Sequence, residues 1–312
     1  MIPVFSELSQ IPSDFLKSSV AIGNFDGVHL GHARLIRLLV EQARRLHSRS
    51  IVLTFDPPPK ALLKPDMRMQ PPITPVALRA ELLGHLGVDA VVAIPTTLKL
   101  LNLTPHEFFK NVMVEQLGVC GIVEGPNFRF GKDRAGDILV LGELCHQYEV
   151  ALQIVDAEND GSGMISSSRI RKLLSEGNVE QANSMLIRPF RICGVVSKGA
   201  GRGRQILVPT ANLTAIRSLL PGPGVYGGLV RVDGQPFKTA INIGPNPTFD
   251  EAQAKIELHL IGWEGDLYGR NLCCELLVRV RDTRKFGSKD QLLQQIQADI
   301  AIIMDRVSIS GG

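Results

Sequence analysis

The residues best placed to do chemistry stand in one run, Gly23-Asn24-Phe25-Asp26-Gly27-Val28-His29-Leu30-Gly31-His32. His29 and His32 are three apart, so both rings share one side of a helix's first turn if that helix begins near His29. Free backbone N–H groups and the positive end of the helix dipole point the same way. Gly23, Gly27 and Gly31 let the backbone bend and approach a ligand closely. Together these make a site for an anion such as a triphosphate, with imidazoles donating to phosphate oxygens as charge builds in a transition state. Two blander readings stand beside it. The histidines could be ordinary helix residues, or zinc ligands, although no Cys or third His nearby completes a metal set.

A second group lies in the other half of the chain. Gly199-Ala200-Gly201-Arg202-Gly203-Arg204 is a glycine loop with two arginines, suited to phosphate approach. Thr210 and Asn212, stiffened by Pro209, offer the hard oxygen ligands that Mg²⁺ takes. A polar β-turn is the alternative. In Lys255–Leu260, alternation sends Ile256, Leu258 and Leu260 to one face and Glu257 and His259 to the other. Such a carboxylate can take the proton of a primary alcohol as it attacks phosphorus, or can be a solvated strand residue.

Three further segments have a functional and a structural reading. Ser166-Ser167-Ser168-Arg169-Ile170-Arg171 is a Ser-rich helix start whose hydroxyls and guanidinium groups can clamp a polyphosphate, or a capped helix with two exposed arginines. In Gly125-Pro126-Asn127-Phe128-Arg129-Phe130-Gly131, two Phe rings either line an aromatic site or pack as core. Thr54-Phe55-Asp56-Pro57-Pro58-Pro59 is a proline-stiffened loop.

The elements that must position these residues divide in two. Near-continuous apolar runs at 19–22, 50–55, 89–94, 119–123 and 151–155 read as buried parallel strands. Helical periodicity fills 32–47, 76–86, 105–117 and 137–149 between them, with Asp137 as a cap. Alternating β and α implies a parallel sheet with helices on both faces, binding ligands beyond the carboxyl ends of its strands. A helix pair spans 168–187, after which short β runs with Gly/Pro turns imply an antiparallel barrel. One closing helix starts near Ser288, with Leu292, Leu293, Ile296 and Ile300 on its buried side. The boundary falls near 185.

Composition narrows the class. The chain has 312 residues, 44% hydrophobic and 21% charged, as expected of an ordinary globular protein of two domains. A net charge of +3 without a basic stripe gives no argument for nucleic acid. No stretch is long and apolar enough to span a membrane, and the N-terminus lacks the marks of a signal peptide. None of the five cysteines forms a CxxC pair, which points to reduced thiols in a cytoplasmic protein rather than a zinc or disulfide framework.

The string at 23–32 resembles the HxGH-type signature of the nucleotidyltransferase superfamily, and more closely the bacterial bifunctional riboflavin kinase/FAD synthetases. Other strings follow in family order: the TFDP segment with Pro58 in place of His, the GxDFxFG segment with Asn127 in place of Asp, and SSSRIR. Pro209-Thr210-Ala211-Asn212 follows Leu207-Val208 where relatives carry GF, and then come Glu257 with His259, Asp266-Leu267-Tyr268-Gly269, and Arg281 through Lys285-Phe286. The resemblance implies a Rossmann-like FMN adenylyltransferase domain over 1–185 and a riboflavin kinase barrel over 186–312.

By the same resemblance, riboflavin and ATP give FMN, and FMN and ATP give FAD and pyrophosphate. ATP in the adenylyltransferase is implied at Gly23, Asn24, Phe25, Asp26, Gly27, His29, His32, Ser167, Ser168, Arg169 and Arg171, and flavin at Asp56, Asn127 and Phe128. In the kinase, ATP falls to Gly201, Arg202, Thr210 and Asn212, Mg²⁺ to Thr210 and Asn212, flavin to Arg281, and the base is Glu257. No nucleic acid or membrane partner is implied, and a monomer or weak homo-oligomer is expected. An enzyme keeping one of the two activities, or a flavin-binding regulator without turnover, are the other readings.

Overall fold

The computed structural model describes residues 2–64, 66, 69–156, 158, 161, 163–197, 209–246 and 251–309. The chain forms two compact units. One runs to Gln70 and over Thr74–Ser166, and the other takes Pro71–Ile73 and everything from Ser167 onward.

The first unit contains β1 (Val4–Phe5), β2 (Ser18–Ile22), α1 (Leu30–Arg45), β3 (Arg49–Phe55), α2 (Pro59–Leu63), α3 (Val76–His85), β4 (Ala90–Ile94), α4 (Leu98–Leu101), α5 (Pro105–Phe108), β5 (Gly121–Glu124), α6 (Ile138–Gln147) and β6 (Ala151–Ile154). The strands form one sheet in the order β1-β4-β3-β2-β5-β6. Every pairing in it is parallel. Every residue of β2, β4 and β5 is buried, the pattern of a sheet covered on both faces. Val20, Ile51, Leu53, Val92 and Ile122 pack there with Phe109, Met113 and Leu141. The order reverses between β2 and β5, so the crevice at their carboxyl ends is the ligand position of this architecture.

Sequence periodicity locates the long elements to within a few residues. The expected helix over 105–117 is instead α5, with a Thr104–Glu107 capping box, continued by a π-helical segment at Phe109–Val114. Two-residue β1 and the short helices α2 and α4 offer too few residues for a periodic signal.

The second unit contains α7 (Ser167–Ser175), α8 (Val179–Asn183), β7 (Arg191–Ser197), β8 (Ala211–Thr214), β9 (Gly224–Val232), β10 (Gln235–Asn246), β11 (Glu251–Leu260), β12 (Asn271–Arg281) and α9 (Lys289–Arg306). The strands close a barrel in the order β10-β11-β8-β7-β12-β9, antiparallel throughout. Helix α9 is capped by Ser288. Its fully buried residues are Asp299 and Ile303, while Leu292, Leu293, Ile296 and Ile300 are half-buried. Ile303 packs with Leu229, Val278 and Val307.

Helices α7 and α8 are fastened to the barrel by Arg279. Its guanidinium donates to the carbonyls of Glu176 at 2.7 Å and Pro223 at 3.1 Å and pairs with Asp282 at 2.7 Å. The Arg279 N–H donates to Glu180 Oε1 at 3.0 Å, and Arg306 reaches the same oxygen at 3.2 Å.

The expectation of reduced thiols is corrected at one pair: Cys193 and Cys273 are joined by a disulfide. They stand directly opposite on antiparallel β7 and β12, where facing side chains share one side of the sheet. The two are 80 residues apart in sequence, so no local motif signals them. Cys120, Cys145 and Cys274 are free thiols.

Candidate active sites

The run 23–32 leaves β2 as a tight turn and enters α1. Phe25 (φ 45°), Gly27 (φ 87°) and Val28 (φ 41°) all adopt left-handed backbone, which costs energy at non-glycine residues unless the surroundings enforce it. Here the surroundings do. Phe25 and Val28 are buried, and the Gly27 N–H donates to Thr74 Oγ1 at 2.8 Å. Asp26 points inward, accepting from the Thr74 N–H at 3.0 Å and lying 3.7 Å from the Arg79 guanidinium. Arg79 donates in turn to Thr54 Oγ1 at 3.1 Å and Thr74 O at 3.0 Å. Sequence reasoning groups Asp26 with nucleotide contacts; at 7% exposure it is bonded to the protein and shapes the turn. Thr74 and Arg79 were not singled out in the sequence, and the only signal for them is a Thr-Pro pair opening a helix with one cationic residue a turn later.

His29 is the N-cap of α1, its Nδ1 accepting from the His32 N–H at 3.3 Å. The two imidazoles stack, with centroids 3.5 Å apart and planes 17° apart. Phe25 closes on His32 from 5.0 Å. Gly31 gives the stack room, because a Cβ there would sit 3.3 Å from the His29 ring and press on it. Among the described residues His32 Nδ1 is buried without a hydrogen-bond partner. Burial brings the His29 pKa down to about 4, against a smaller opposing pull from Asp26. Burial, then His29 and the Arg79 guanidinium, push His32 well below its ordinary value. Both rings are therefore neutral, and because His29 Nδ1 accepts, its proton sits on Nε2. Imidazole ¹⁵N NMR should show His29 as the Nε2–H tautomer with no titration between about pH 5.5 and 8. The sign for stability follows. The unfolded chain protonates His29 below about 6.5 and the folded protein below about 4, so its contribution is full above 6.5 and is lost as pH falls through that window.

The other expected residues of the first unit lie at strand ends. Asp56 is exposed just after β3, and Asn127 is exposed in the turn after β5. Phe128 is half-buried and stacks on Phe130 at 5.4 Å. Phe130 belongs to the core, and Arg129 pairs with Asp137 at 2.8 Å. Ser167, Ser168, Arg169 and Arg171 are on the first turns of α7 in the second unit, where Arg171 Nη1 donates to Pro71 O at 2.7 Å.

In the second unit β11 pairs with β8 so that Glu257 stands opposite Asn212. On its other side Glu257 stands opposite Asn242 of β10. Opposed residues project from the same face with Cβ atoms about 5 Å apart. Ile256, Leu258 and Leu260 are buried and Glu257 and His259 half-buried, the expected alternation. His259 Nδ1 meets the Pro209 carbonyl at 2.8 Å, which fixes the residue before exposed Thr210. The expected base and one expected metal ligand, Asn212, thus share one face. A Thr hydroxyl, an Asn amide oxygen and a carboxylate suit a hard divalent ion.

Arg281 is held by Asp299, Nε to Oδ1 at 3.0 Å and Nη2 to Oδ2 at 2.8 Å. Beside it a cavity of about 420 Å³ is lined by Arg284, Lys285, Phe286, Gln291, Gln294 and Gln295. Gly201, Arg202 and Leu207-Val208 lie outside the described residues. Among the described residues no three His, Cys, Asp or Glu side chains converge on a metal position, and no helix is long and apolar enough to cross a membrane.

Comparison with known proteins finds one family in each half of the chain. The FAD synthetase family matches residues 11–169 and the riboflavin kinase family residues 186–307. A bifunctional riboflavin kinase/FMN adenylyltransferase of Pseudomonas fluorescens is 34% identical over 281 residues, 90% of this chain and 90% of that one. Its namesake in Escherichia coli K12 is 35% identical over 295 residues, 94% and 93% of the two chains. A crystal structure described as a macrolide-efflux protein from Streptococcus pneumoniae superposes with a TM-score of 0.86 at 31% identity, covering 97% of this chain and 98% of that one.

Proposed function

The chain belongs to the bifunctional riboflavin kinase/FMN adenylyltransferase family, and from that premise we propose which of its residues carry each reaction. Riboflavin, FMN and ATP are its substrates. We place adenylyl transfer in residues 1–185 and the kinase in 186–312.

In the kinase, Glu257 accepts the proton of the ribityl 5′-hydroxyl as that oxygen attacks the γ-phosphorus of ATP, and ADP leaves. A neutral alcohol is a poor nucleophile, so a base is useful there. Thr210 and Asn212 would hold Mg²⁺, which offsets phosphate charge when bound. Gly201 and Arg202 take the nucleotide phosphates, and Arg281, paired with Asp299, lies on the flavin side. The observation that carries this assignment is the register that sets Glu257 against Asn212.

In the adenylyltransferase, an FMN phosphate oxygen attacks the α-phosphorus of ATP and pyrophosphate leaves. The nucleophile is already anionic, so positioning and charge stabilisation suffice. The neutral imidazoles of His29 and His32 donate hydrogen bonds to the phosphates. Gly23, Asn24, Phe25 and Gly27 form the cradle, and Asp26 holds its shape. Ser167, Ser168, Arg169 and Arg171 are assigned to the polyphosphate, and Asp56, Asn127 and Phe128 to the flavin, on the family strings they match. The remaining parts of the reading are a cytoplasmic monomer or weak homo-oligomer, without a nucleic acid or membrane partner.

The test is a time course with riboflavin, ATP and Mg²⁺, separating FMN from FAD. FMN appearing first and FAD after it is expected. FMN alone would mean a disabled first unit, and neither product would mean a flavin-binding regulator.

A further inference from the structure

The sheet of the first unit opens between β2 and β5. Their ladder pairs Ser19 with Gly121 and Val20 with Ile122 and goes no further. One residue past β2, the Gly23 N–H donates to Leu53 O of β3 at 3.0 Å. Backbone groups alternate along a strand, so the Ile22 N–H faces the β5 side. Its acceptor there is a side chain, Glu124 Oε1, at 2.5 Å. Glu124 is 3% exposed, and its own carbonyl accepts from the Val155 N–H at 2.8 Å on the β6 side. Burial raises its pKa well above the carboxylate range, against smaller opposing effects of the Ile22 and Gly125 N–H groups.

A buried carboxyl is costly unless its hydrogen bonds are satisfied, and an apolar side chain would fill the position more cheaply. Neither reaction assigned above uses this group. What it does is span a fork. Ile22 immediately precedes the 23–32 turn, and Glu124 immediately precedes the turn that carries Asn127 and Phe128.

We propose that Glu124 is a positioning residue of the adenylyltransferase, its carboxyl bridging β2 and β5 and setting the spacing of the two ligand-binding turns. This rests on the reading that those turns hold ATP and FMN.

Three variants of the full chain test it. Glu124→Met keeps the length and leaves the Ile22 N–H buried without an acceptor. Glu124→Asp keeps the carboxyl and loses reach. Glu124→Gln keeps a carbonyl acceptor at the same reach. At saturating ATP and FMN, Met should lower the rate of FAD formation about ten- to hundredfold and Asp about fivefold or more. Gln should restore it to within about threefold. Riboflavin phosphorylation by the same molecules should be unchanged. Circular dichroism and thermal unfolding identify the variants that are folded at the assay temperature. Met and Gln are alike in length and volume, so rescue by Gln and not by Met reports the hydrogen bond rather than packing. Wild-type FAD formation in folded Met or Asp variants overturns the proposal, as does a Gln variant as slow as Met. The site assignment itself fails separately, if the His29/His32 double variant still makes FAD.

Discussion

Glu257→Gln is expected to abolish riboflavin phosphorylation while externally supplied FMN is still adenylylated. The substitution keeps the shape of the side chain and removes only its capacity to take a proton. General-base contributions are about 10²–10⁴-fold, so FMN formation should fall by that amount, with little change in the KM for riboflavin. Glu257 faces Asn212 across β8 and β11, and Gln preserves that packing, so a loss of rate reports chemistry rather than folding. Labelled FMN with ATP gives the second readout in the same tube. Loss of both activities would show that the two reactions are not divided as proposed.

His29→Ala combined with His32→Ala should produce the mirror image. FAD formation should fall about a thousandfold or more, since each donor aimed at developing charge is worth about 10²–10³ and two that act as a unit are not additive. FMN formation should persist. The stacked geometry, 3.5 Å between centroids, means that either single change also disturbs the other ring. The single variants should therefore each lose most of what the double loses. A double variant that makes FAD at the normal rate would move adenylyl transfer away from the 23–32 turn.

Much of this was legible in the chain. The strand expected at 19–22 and the helix after it read correctly because a buried apolar run and a long 3.6-residue periodicity are strong signals. That helix begins at Leu30 with His29 as its N-cap, two residues before the expected range of 32–47. Strand β8 was not anticipated, because four residues inside a ligand-bearing string carry no alternation of their own. The inward role of Asp26 with Arg79 was also missed. Charged residues ordinarily read as solvent-facing, and a buried pair is set by partners about fifty residues apart in sequence, such as Thr74 on Asp26. Glu124 was missed for the same reason, its partner Ile22 being 102 residues away.

The Arg279 fastening bears on how the two halves can be separated. The family matches suggest a cut between 169 and 186, and a kinase piece starting at 186 would look complete by that measure. Yet Arg279 would then lose Glu176 and Glu180, and Arg306 would lose Glu180 as well. Two guanidinium donations and one backbone N–H would face water on one fragment, while α7 and α8 would dangle from the other without the barrel wall they pack on. A cut at 166 keeps that helix pair with the barrel. For dissecting the enzyme into single-activity pieces, the mechanical seam and the functional seam are therefore different places in the chain.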